Sequence, residues 1–433
     1  MEYNTVFFGD VAKIKNGYAF KSKEFKEEGI PVIKIKNIIS PIVDIKDTQK
    51  VSIKTYEETK NFLLKKGDIL ISLTGSGVNQ MSSAVGKVGK IEFDYTALQN
   101  QRVGKFELKY KNSADLDFLF YYFLQPKITN YLVRNSTGSA NQANISSKLI
   151  ETVKIPNFSL KKQKSISKIL NQISRKIEIN KKIIANLEEL SQTLFKRWFV
   201  DFEFPDENGN PYKSSGGELV DSELGKIPRG WECVYLKDIV HHKKDTFNPK
   251  KSNESEVKHF SLPAFDSGQY PTIDNVTDIK SNKWIIDENC ILFSKMNPTT
   301  RRIWVTSYNE NFLNVASSEF VVLKSDNSYR NAFIYNICIS DKFNEYLVSN
   351  TTGSTNSRQR VKPDIAVQYR FAYNEEVSYL LSEKIEPYIE KIKIIREQNQ
   401  NLTQLRDTLL PKLMSGEIEI PDDIEVMEDE LSI

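Results

Sequence analysis

Cysteine and histidine are scarce in this sequence of 433 residues, which has three of each. Cys233, Cys290 and Cys338 are scattered, so they form neither a disulfide framework nor a zinc-site spacing, and we expect a reducing, cytoplasmic location. His241 and His242 are adjacent, a poor geometry for holding one metal ion, so no metal site is predicted. No apolar run reaches the roughly 18 residues of a transmembrane helix. The first residues also lack the basic and apolar regions of a secretory signal.

Catalytic signatures are missing as well. Residues 75–77 (Gly-Ser-Gly) form the only dense glycine loop, which lacks both the third glycine of a dinucleotide site and a phosphate-loop lysine; a surface loop is the favoured interpretation. Three histidines give little room for Ser-His-Asp catalysis. Residues 297–300 (Asn-Pro-Thr-Thr) resemble the Asn-Pro-Pro-aromatic motif of amino-methyltransferases only superficially. We therefore predict that this chain has no catalytic residues and no cofactor of its own.

The strongest positive feature is a long-range repeat. The segment 186–194 (NLEELSQTL) recurs about 215 residues later as 401–409 (NLTQLRDTL). Shorter matches join 8–11 to 236–239, 67–72 to 289–294, and 135–139 to 350–354. Between these anchors the two halves diverge. A shared scaffold with unlike loops is what two pockets with different targets would show.

The repeat predicts a mixed α/β (α+β) fold that is built twice. Expected elements of the first half are strands at 30–36, 69–72 and 85–91 and a core helix at 116–131. A stretch rich in Gly, Ser, Pro and charge is interpreted as a linker between the halves. The predicted boundaries are a globular domain at 1–157, a helix at 158–205, the linker at 206–230, a second globular domain at 231–373, a second helix at 374–421 and an acidic tail at 422–433.

Two long helices carry an apolar seam with alternating three- and four-residue steps, which is typical of a coiled coil. The first would run over 161–198, about 57 Å at 1.5 Å per residue. The seam could instead pack on its own globular domain, but a helix of this length exceeds such a domain. The predicted packing residues are Ile166, Leu170, Ile173, Ile177, Ile184, Leu187 and Leu194 in the first helix and Ile385, Ile392, Ile395, Leu402, Leu405 and Leu409 in the second.

The second helix contains Pro387, where a proline removes a backbone hydrogen bond and clashes with the preceding turn. We expect a kink or a break there. In a break, the second coiled segment would begin near this proline as its first helical residue, and residues 375–386 would form a separate turn of helix. Both helices are expected to end in a short strand followed by a proline, at 202–205 and at 418–421.

Basic and polar side chains cluster in loops of both halves. Arg and Lys bind phosphates or guanine edges, and Asn and Gln can bind adenine in the major groove. For any single cluster a solvated face is the simpler interpretation, but recurrence in equivalent loops favours nucleic-acid binding. The candidates are Lys21, Lys23, Lys34, Lys36, Asn37, Thr74, Ser76, Asn79, Gln80, Lys87, Asn141 and Gln142 in the first half, and Lys295, Asn297, Arg301, Arg302, Arg358, Gln359 and Arg360 in the second.

Several segments resemble the conserved regions of specificity subunits of type I restriction–modification enzymes. They are Ile155-Pro156 leading to Gln163 and Ile166, then 194–202 (LFKRWFVDF), 222–232 (SELGKIPRGWE) and 409–418 (LLPKLMSGEI). The resemblance covers the whole chain, in the order target-recognition domain, helix, target-recognition domain, helix.

The resemblance implies a pseudo-twofold molecule in which the two helices pair as an antiparallel coiled-coil spacer. Each target-recognition domain would read one half of a split site in double-stranded DNA. Modification (methyltransferase) subunits would bind S-adenosylmethionine, and restriction subunits would use ATP and Mg to translocate and cleave DNA. The alternatives are a stand-alone DNA-binding or interaction scaffold without enzyme partners, and a self-sufficient nuclease or methyltransferase, which would need activity from the purified chain.

Overall fold

The computed structural model describes residues 4–77, 85–139, 142–242, 245–288, 290–308, 310–325, 328–353 and 359–420. The predicted candidates Asn79, Gln80, Asn141 and Arg358 and the acidic tail lie outside these ranges. The chain divides into two compact units: unit 1 comprises residues 1–175 and 403–433, and unit 2 comprises residues 176–402. Each unit therefore includes a part of both long helices.

Unit 1 is a mixed α/β structure. Its helices are α1 (Phe8–Val11), α2 (Ile53–Glu58), α3 (Leu116–Leu124), α4 (Pro126–Arg134), α5 (Ser147–Glu151) and the first part of α6 (Leu160–Phe199). Its strands are β1 (Thr5–Phe7), β2 (Ala12–Asn16), β3 (Phe25–Lys26), β4 (Ile30–Ile33), β5 (Ile38–Ile39), β6 (Ile42–Val43), β7 (Gln49–Val51), β8 (Leu63–Leu64), β9 (Ile69–Ser72), β10 (Thr74–Gly75), β11 (Val88–Lys90), β12 (Ala97–Gln99), β13 (Val103–Leu108), β14 (Thr137–Ser139), β15 (Gln142–Asn144) and β16 (Lys154–Pro156).

Two main sheets organise unit 1, in the orders β2-β13-β9-β11-β6-β5 and β3-β7-β4-β12-β8. All four residues of β9 are buried, which confirms the predicted buried strand. The strand predicted at 30–36 ends at Ile33, because 35–37 form a 3-10 turn. The single helix predicted at 116–131 is wrong. Pro126 is the first residue of a second helix, a position where a missing N–H costs nothing.

Unit 2 repeats this plan with different loops. Its helices are α7 (Leu236–Ile239), α8 (Leu262–Gly268), α9 (Ser328–Ile339), α10 (Asp341–Ser349), α11 (Pro363–Ala366) and α12 (Glu375–Ser415), the last shared with unit 1 as α6 is. Its strands are β17 (Leu219–Ser222), β18 (Gly225–Pro228), β19 (Glu232–Tyr235), β20 (His241–His242), β21 (Thr246–Phe247), β22 (Glu256–Phe260), β23 (Thr272–Asn275), β24 (Lys283–Ile285), β25 (Ile291–Ser294), β26 (Ile303–Val305), β27 (Leu313–Ser317), β28 (Phe320–Lys324) and β29 (Arg370–Tyr373).

The duplication predicted from the repeat is confirmed in the strand order. The sheet β20-β28-β25-β26 matches the run β2-β13-β9-β11, and the parallel pair β22–β27 matches β4–β12. The short helices after the first strands are also capped alike. The backbone N–H of Phe7 donates to Asp10 Oδ2 at 2.8 Å, and that of Tyr235 donates to Asp238 Oδ2 at 2.8 Å.

In unit 1, the start of α6 packs against the end of α12. Ile166 and Leu170 are fully buried and share one apolar cluster with Leu410, Leu413 and Met414. The N-terminal part of one helix thus lies beside the C-terminal part of the other. This is the antiparallel pairing that the resemblance implied.

In unit 2, polar side chains join the two helices. Asn180 Nδ2 donates to Asn399 Oδ1 at 2.8 Å, and Glu188 Oε1 accepts from Arg396 Nη2 at 3.0 Å. Residue numbers increase along α6 while those of their partners decrease along α12, so the pairing is antiparallel here too. Apolar residues of α12 that the sequence analysis did not select, such as Leu381 and Ile389, are also buried in this core.

Most of the predicted packing residues lie in the interior. Leu405 is the exception, because 47% of it is exposed to solvent. Three of the others, Ile184, Leu187 and Leu194, pack on the apolar core of unit 2. The buried members are Ile166, Leu170, Ile177, Ile385, Ile392 and Ile395, and the half-buried ones are Ile173, Ile184, Leu187, Leu194, Leu402 and Leu409.

The segment predicted as a linker is structured. It contains the antiparallel hairpin β17–β18, whose Ile227 is buried. Trp231 packs against Phe199 and Phe204 with ring centroids 4.9 and 5.0 Å apart, so these aromatic rings hold the segment against the end of α6. The predicted exit strands are wrong: 202–204 and 418–420 form no strand, and Phe202 has a φ of 60°.

Of the kink or break predicted at Pro387, the break is wrong, because α12 is continuous from Glu375 to Ser415, and the kink stays a prediction. Pro387 itself is exposed, whereas Ile385 and Ile389 on either side are buried in the core of unit 2. Packing of these neighbours outweighs the missing backbone hydrogen bond, and water can reach the carbonyl of Glu383 that the proline leaves without a donor.

Replacing Pro387 by alanine should therefore stabilise unit 2 by up to about 3 kcal/mol, the difference between the two residues in a helix interior. The measurement is the free energy of unfolding from chemical denaturation, with Lys391→Ala as the control because Lys391 is also exposed, one turn further along α12. A loss of stability in Pro387→Ala would mean that the proline contributes packing which the helix needs.

Candidate nucleic-acid interface

In unit 1, several predicted residues meet where β9 ends. Thr74 and Gly75 form β10, which pairs with β15, and β15 in turn pairs with β14. This ladder pairs Thr74 with Asn144 and Gly75 with Ala143, so the next residue, Ser76, comes beside Gln142, the predicted residue that starts β15. Lys87 also lies at the end of β9, since its backbone N–H donates to Ser72 Oγ at 3.1 Å. Gln142 is exposed, and Thr74, Ser76 and Lys87 are half-buried.

The predicted lysines at the other sheet differ in their surroundings. Lys21, Lys23 and Lys36 are exposed. Lys34 Nζ lies 4.0 Å from the centre of the Phe25 ring and hydrogen-bonds to the Gln49 side chain. Burial, with a smaller contribution from the charge of Lys36, lowers the pKa of Lys34.

Asn37 does not present its side chain to solvent. It is 2% exposed, its Oδ1 accepts from the Lys34 backbone N–H at 3.0 Å, and its Nδ2 donates to the Lys46 carbonyl at 3.2 Å. The prediction of a base contact by Asn37 therefore needs correction, because its amide already stabilises the loop that carries Lys34 and Lys36.

The loop between β12 and β13 connects these two groups, and the sequence analysis missed it. The backbone N–H of Gln101 donates to the Tyr18 carbonyl at 2.9 Å, and the Leu73 N–H donates to the Arg102 carbonyl at 2.9 Å. Gln101 and Arg102 are both exposed. A single arginine without charged neighbours in the chain gives no cluster signal, so only the fold identifies this loop.

In unit 2, the equivalent loops form a similar ladder. Met296 pairs with Arg360, which also pairs with Thr352. The Asn297 N–H donates to the Gln359 carbonyl at 2.8 Å, and the Val361 N–H donates to the Lys295 carbonyl at 3.0 Å. The structure thus brings the predicted residues Lys295, Asn297, Gln359 and Arg360 together. Asn297 has a φ of 49°, a conformation that asparagine tolerates better than most residues.

The predicted arginines of unit 2 are paired with carboxylates. Arg301 Nη2 lies 2.6 Å from Asp341 Oδ1, and Arg360 Nη2 lies 3.0 Å from Glu319 Oε1. Arg302 makes two hydrogen bonds to the Asp266 carboxylate, at 2.7 and 3.0 Å. Nucleic acid would have to compete with these carboxylates, so the three arginines are not the open cations that the sequence suggested.

Metal-binding clusters and membrane-spanning helices are absent from the described ranges. In those ranges, no group of three or more His, Cys, Asp or Glu side chains is placed to hold a metal ion. No helix in the same ranges is long and apolar enough to cross a membrane.

Comparisons with known proteins agree with the resemblance. A sequence profile described as the type I restriction modification DNA specificity domain matches residues 1–189. The type I restriction enzyme MjaIX specificity subunit of Methanocaldococcus jannaschii is 24% identical over 427 residues, which cover 95% of this chain and 93% of that protein. Residues 1–189 thus match this specificity domain, and the chain as a whole is similar to a type I specificity subunit along nearly all of its length.

Further relatives cover most of the chain as well. The HindI specificity subunit of Haemophilus influenzae is 23% identical, over 82% of this chain and 87% of that protein. In fold, the chain is similar to the crystal structure of the type I restriction–modification S subunit from M. genitalium, with a TM-score of 0.56, 14% identity and 97% of both chains covered. The chain is thus similar over most of its length to type I specificity subunits, and it shares the mixed α/β fold of the M. genitalium S subunit.

Under the hypothesis that each half of the chain reads one half of a DNA target, we expect Arg301→Ala combined with Arg302→Ala to weaken recognition of one half only, because both arginines belong to unit 2. The measurement is the methylated sequence motif in a host that expresses the variant. Arg330→Ala is the control, since Arg330 pairs with Glu375 in the same unit at the start of α12. A loss that is uniform over all sequences would mean that the two arginines hold phosphates.

Proposed function

We propose that each unit reads one half of a bipartite site in double-stranded DNA and that the paired helices set the distance between the halves. The observation that carries this proposal is a duplicated scaffold with unlike residues at equivalent recognition positions. Arg102 precedes β13 in unit 1, and Glu319 precedes β28 in unit 2. The Arg102 carbonyl accepts a hydrogen bond from the N–H of Leu73, the residue after β9. The Glu319 carbonyl accepts one from the N–H of Lys295, the residue after β25.

The chemistry would reside on other polypeptides. We propose that this chain contributes recognition and a docking surface, that modification subunits bind S-adenosylmethionine, and that restriction subunits use ATP and Mg. In this division of work the chain itself has no catalytic residue and no cofactor, and it acts on DNA in the cytoplasm.

Exposed apolar residues on the long helices support docking of the modification subunits. Ile179 and Leu190 are 39% and 55% exposed on α6, and Ile394 is 57% exposed on α12. Ile179 and Leu190 are eleven residues apart, about three helical turns, so they lie on one face of α6. We propose these uncovered aliphatic side chains as contacts for the modification subunits.

The test is methylome sequencing of a host with and without this chain, in the presence of its modification subunits. The proposal expects one bipartite motif to lose methylation when the chain is removed. A continuous motif would contradict the two-reader arrangement. Unchanged methylation would favour the alternative, a stand-alone DNA-binding or interaction scaffold.

A further inference from the structure

We infer that Arg102 is a base-reading residue of unit 1 and that it contacts a guanine in the major groove. This inference rests on the proposed function, in which unit 1 reads one half of the DNA target. It assigns a specificity role to a residue outside the basic clusters.

The backbone around Arg102 is held from several sides. Besides the bonds of Gln101 to Tyr18 and of Arg102 to Leu73, the Asn100 N–H donates to the Ile33 carbonyl at 3.1 Å, and the Val103 N–H donates to the Asn100 carbonyl at 2.9 Å. Asn100 is 7% exposed, and its Oδ1 accepts from the Arg102 N–H at 3.3 Å. Little backbone entropy is therefore lost when Arg102 binds a ligand.

Close packing of the Gly17 backbone against Asn100 also fixes this loop. A Cβ at Gly17 would lie 2.3 Å from the Asn100 carbonyl oxygen, so the chain before Tyr18 can lie against this loop only with glycine at that position. The loop is thus a rigid support, and a rigid support is what precise base contacts require.

Arg102 lies centrally among the candidate residues of unit 1. Leu73 bonds to Arg102 through its N–H and to Ile145, the residue after β15, through its carbonyl, at 2.9 Å each. The backbone of Arg102 is therefore next to the strand that leads to Thr74, and the β14–β15 hairpin lies on the other side of that strand. On its other side, Gln101 bonds to Tyr18, which leads to Lys21 and Lys23. A central position among polar loops suits base contacts, while lysines around it suit phosphates.

The charge at this position distinguishes the two units. In unit 2 the equivalent residue, Glu319, binds Arg360 at 3.0 Å. Arg102 has no carboxylate partner among the described residues of unit 1, so its five N–H donors are available. A guanidinium pairs with guanine O6 and N7 through two parallel hydrogen bonds, which a carboxylate cannot do.

The experiment compares Arg102→Ala and Arg102→Lys with the unaltered full-length chain, each expressed with its modification subunits and analysed by methylome sequencing. We expect both variants to lose discrimination at one guanine of one half-site by about tenfold to a hundredfold, with the other half and the gap unchanged. Lysine keeps the charge but lacks the planar fork of arginine. The pattern of the loss separates the two roles, because a base contact affects one position of one half-site, whereas a phosphate contact weakens binding about equally for all sequences. Lys111→Ala is the control, because Lys111 is exposed beyond the opposite end of β13.

An unchanged motif in Arg102→Ala would overturn the inference. So would a loss in Arg102→Ala that is uniform over all sequences, which would make Arg102 a phosphate contact. Melting temperatures of the purified variants verify that both fold. If the unaltered chain directs no bipartite methylation at all, the proposed function fails, and that outcome is distinct from either result on Arg102.

Discussion

Replacing Glu188 by alanine is expected to destabilise unit 2 by about 3 kcal/mol, the low end for breaking a buried ion pair. Glu188 Oε1 accepts from Arg396 Nη2 at 3.0 Å and from the Tyr335 hydroxyl at 2.7 Å. The Arg396 side chain is only 6% exposed, so without Glu188 its charge would remain buried and uncompensated. Burial also raises the pKa of Tyr335, so the hydroxyl keeps its proton and needs this acceptor. We choose the low end because the Glu188 side chain is 33% exposed.

Thermal and chemical unfolding of the purified chain measure this effect. Glu189→Ala is the matched control, because it removes an exposed neighbour of the same type on α6. Glu188→Leu combined with Arg396→Met should recover much of the loss, since replacing both charges leaves neither of them unpaired. Equal stability of Glu188→Ala and Glu189→Ala would show that the pair contributes nothing to holding the helices together.

The sequence predicted the apolar seam of the long helices but not its polar contacts. A seam is recognised by the spacing of apolar residues, and Asn180, Glu188, Arg396 and Asn399 carry no such signal. Their roles depend on which residue lies opposite on a helix some 200 positions away. The same limit explains Leu405, which has the right spacing but faces solvent.

Two prolines with similar local signals had opposite outcomes. Pro126 starts a helix after Gln125, whose ψ of 132° is extended, whereas Pro387 lies inside a continuous helix. Local sequence cannot separate these cases, because the deciding factor is tertiary packing. Buried Ile385 and Ile389 hold α12 together around Pro387.

The sequence indicated which loops carry the candidate residues, but not which of those side chains are available to a ligand. Equivalent loops after β9 and β25 do carry polar side chains, as the repeat indicated. Charge counting could not tell that Arg302 binds Asp266, 36 residues earlier, or that Asn37 is buried. Arg102 was missed for the opposite reason, since only the backbone bonds of Arg102 with Leu73 and of Gln101 with Tyr18 bring this loop to the candidate surface.

Lengthening both long helices together should change the gap between the half-sites without changing the bases that are read. Seven residues inserted between Arg175 and Lys176 in α6, and seven between Leu402 and Thr403 in α12, fall at the boundaries of the two units. Contacts inside each unit are therefore retained. Seven helical residues add about 10 Å, close to the rise of three DNA base pairs, and a heptad nearly preserves the facing of the apolar seam.

The control insertion places seven Gly and Ser residues after Gly209, an exposed turn residue with nothing within 4 Å of where its Cβ would be. This chain should recognise the unaltered motif. Methylome sequencing of hosts carrying each variant is the most direct test that the paired helices measure a distance along DNA. We predict the same two half-sites with a gap about three base pairs longer for the helix insertion. Altered half-site bases with an unchanged gap would contradict the account.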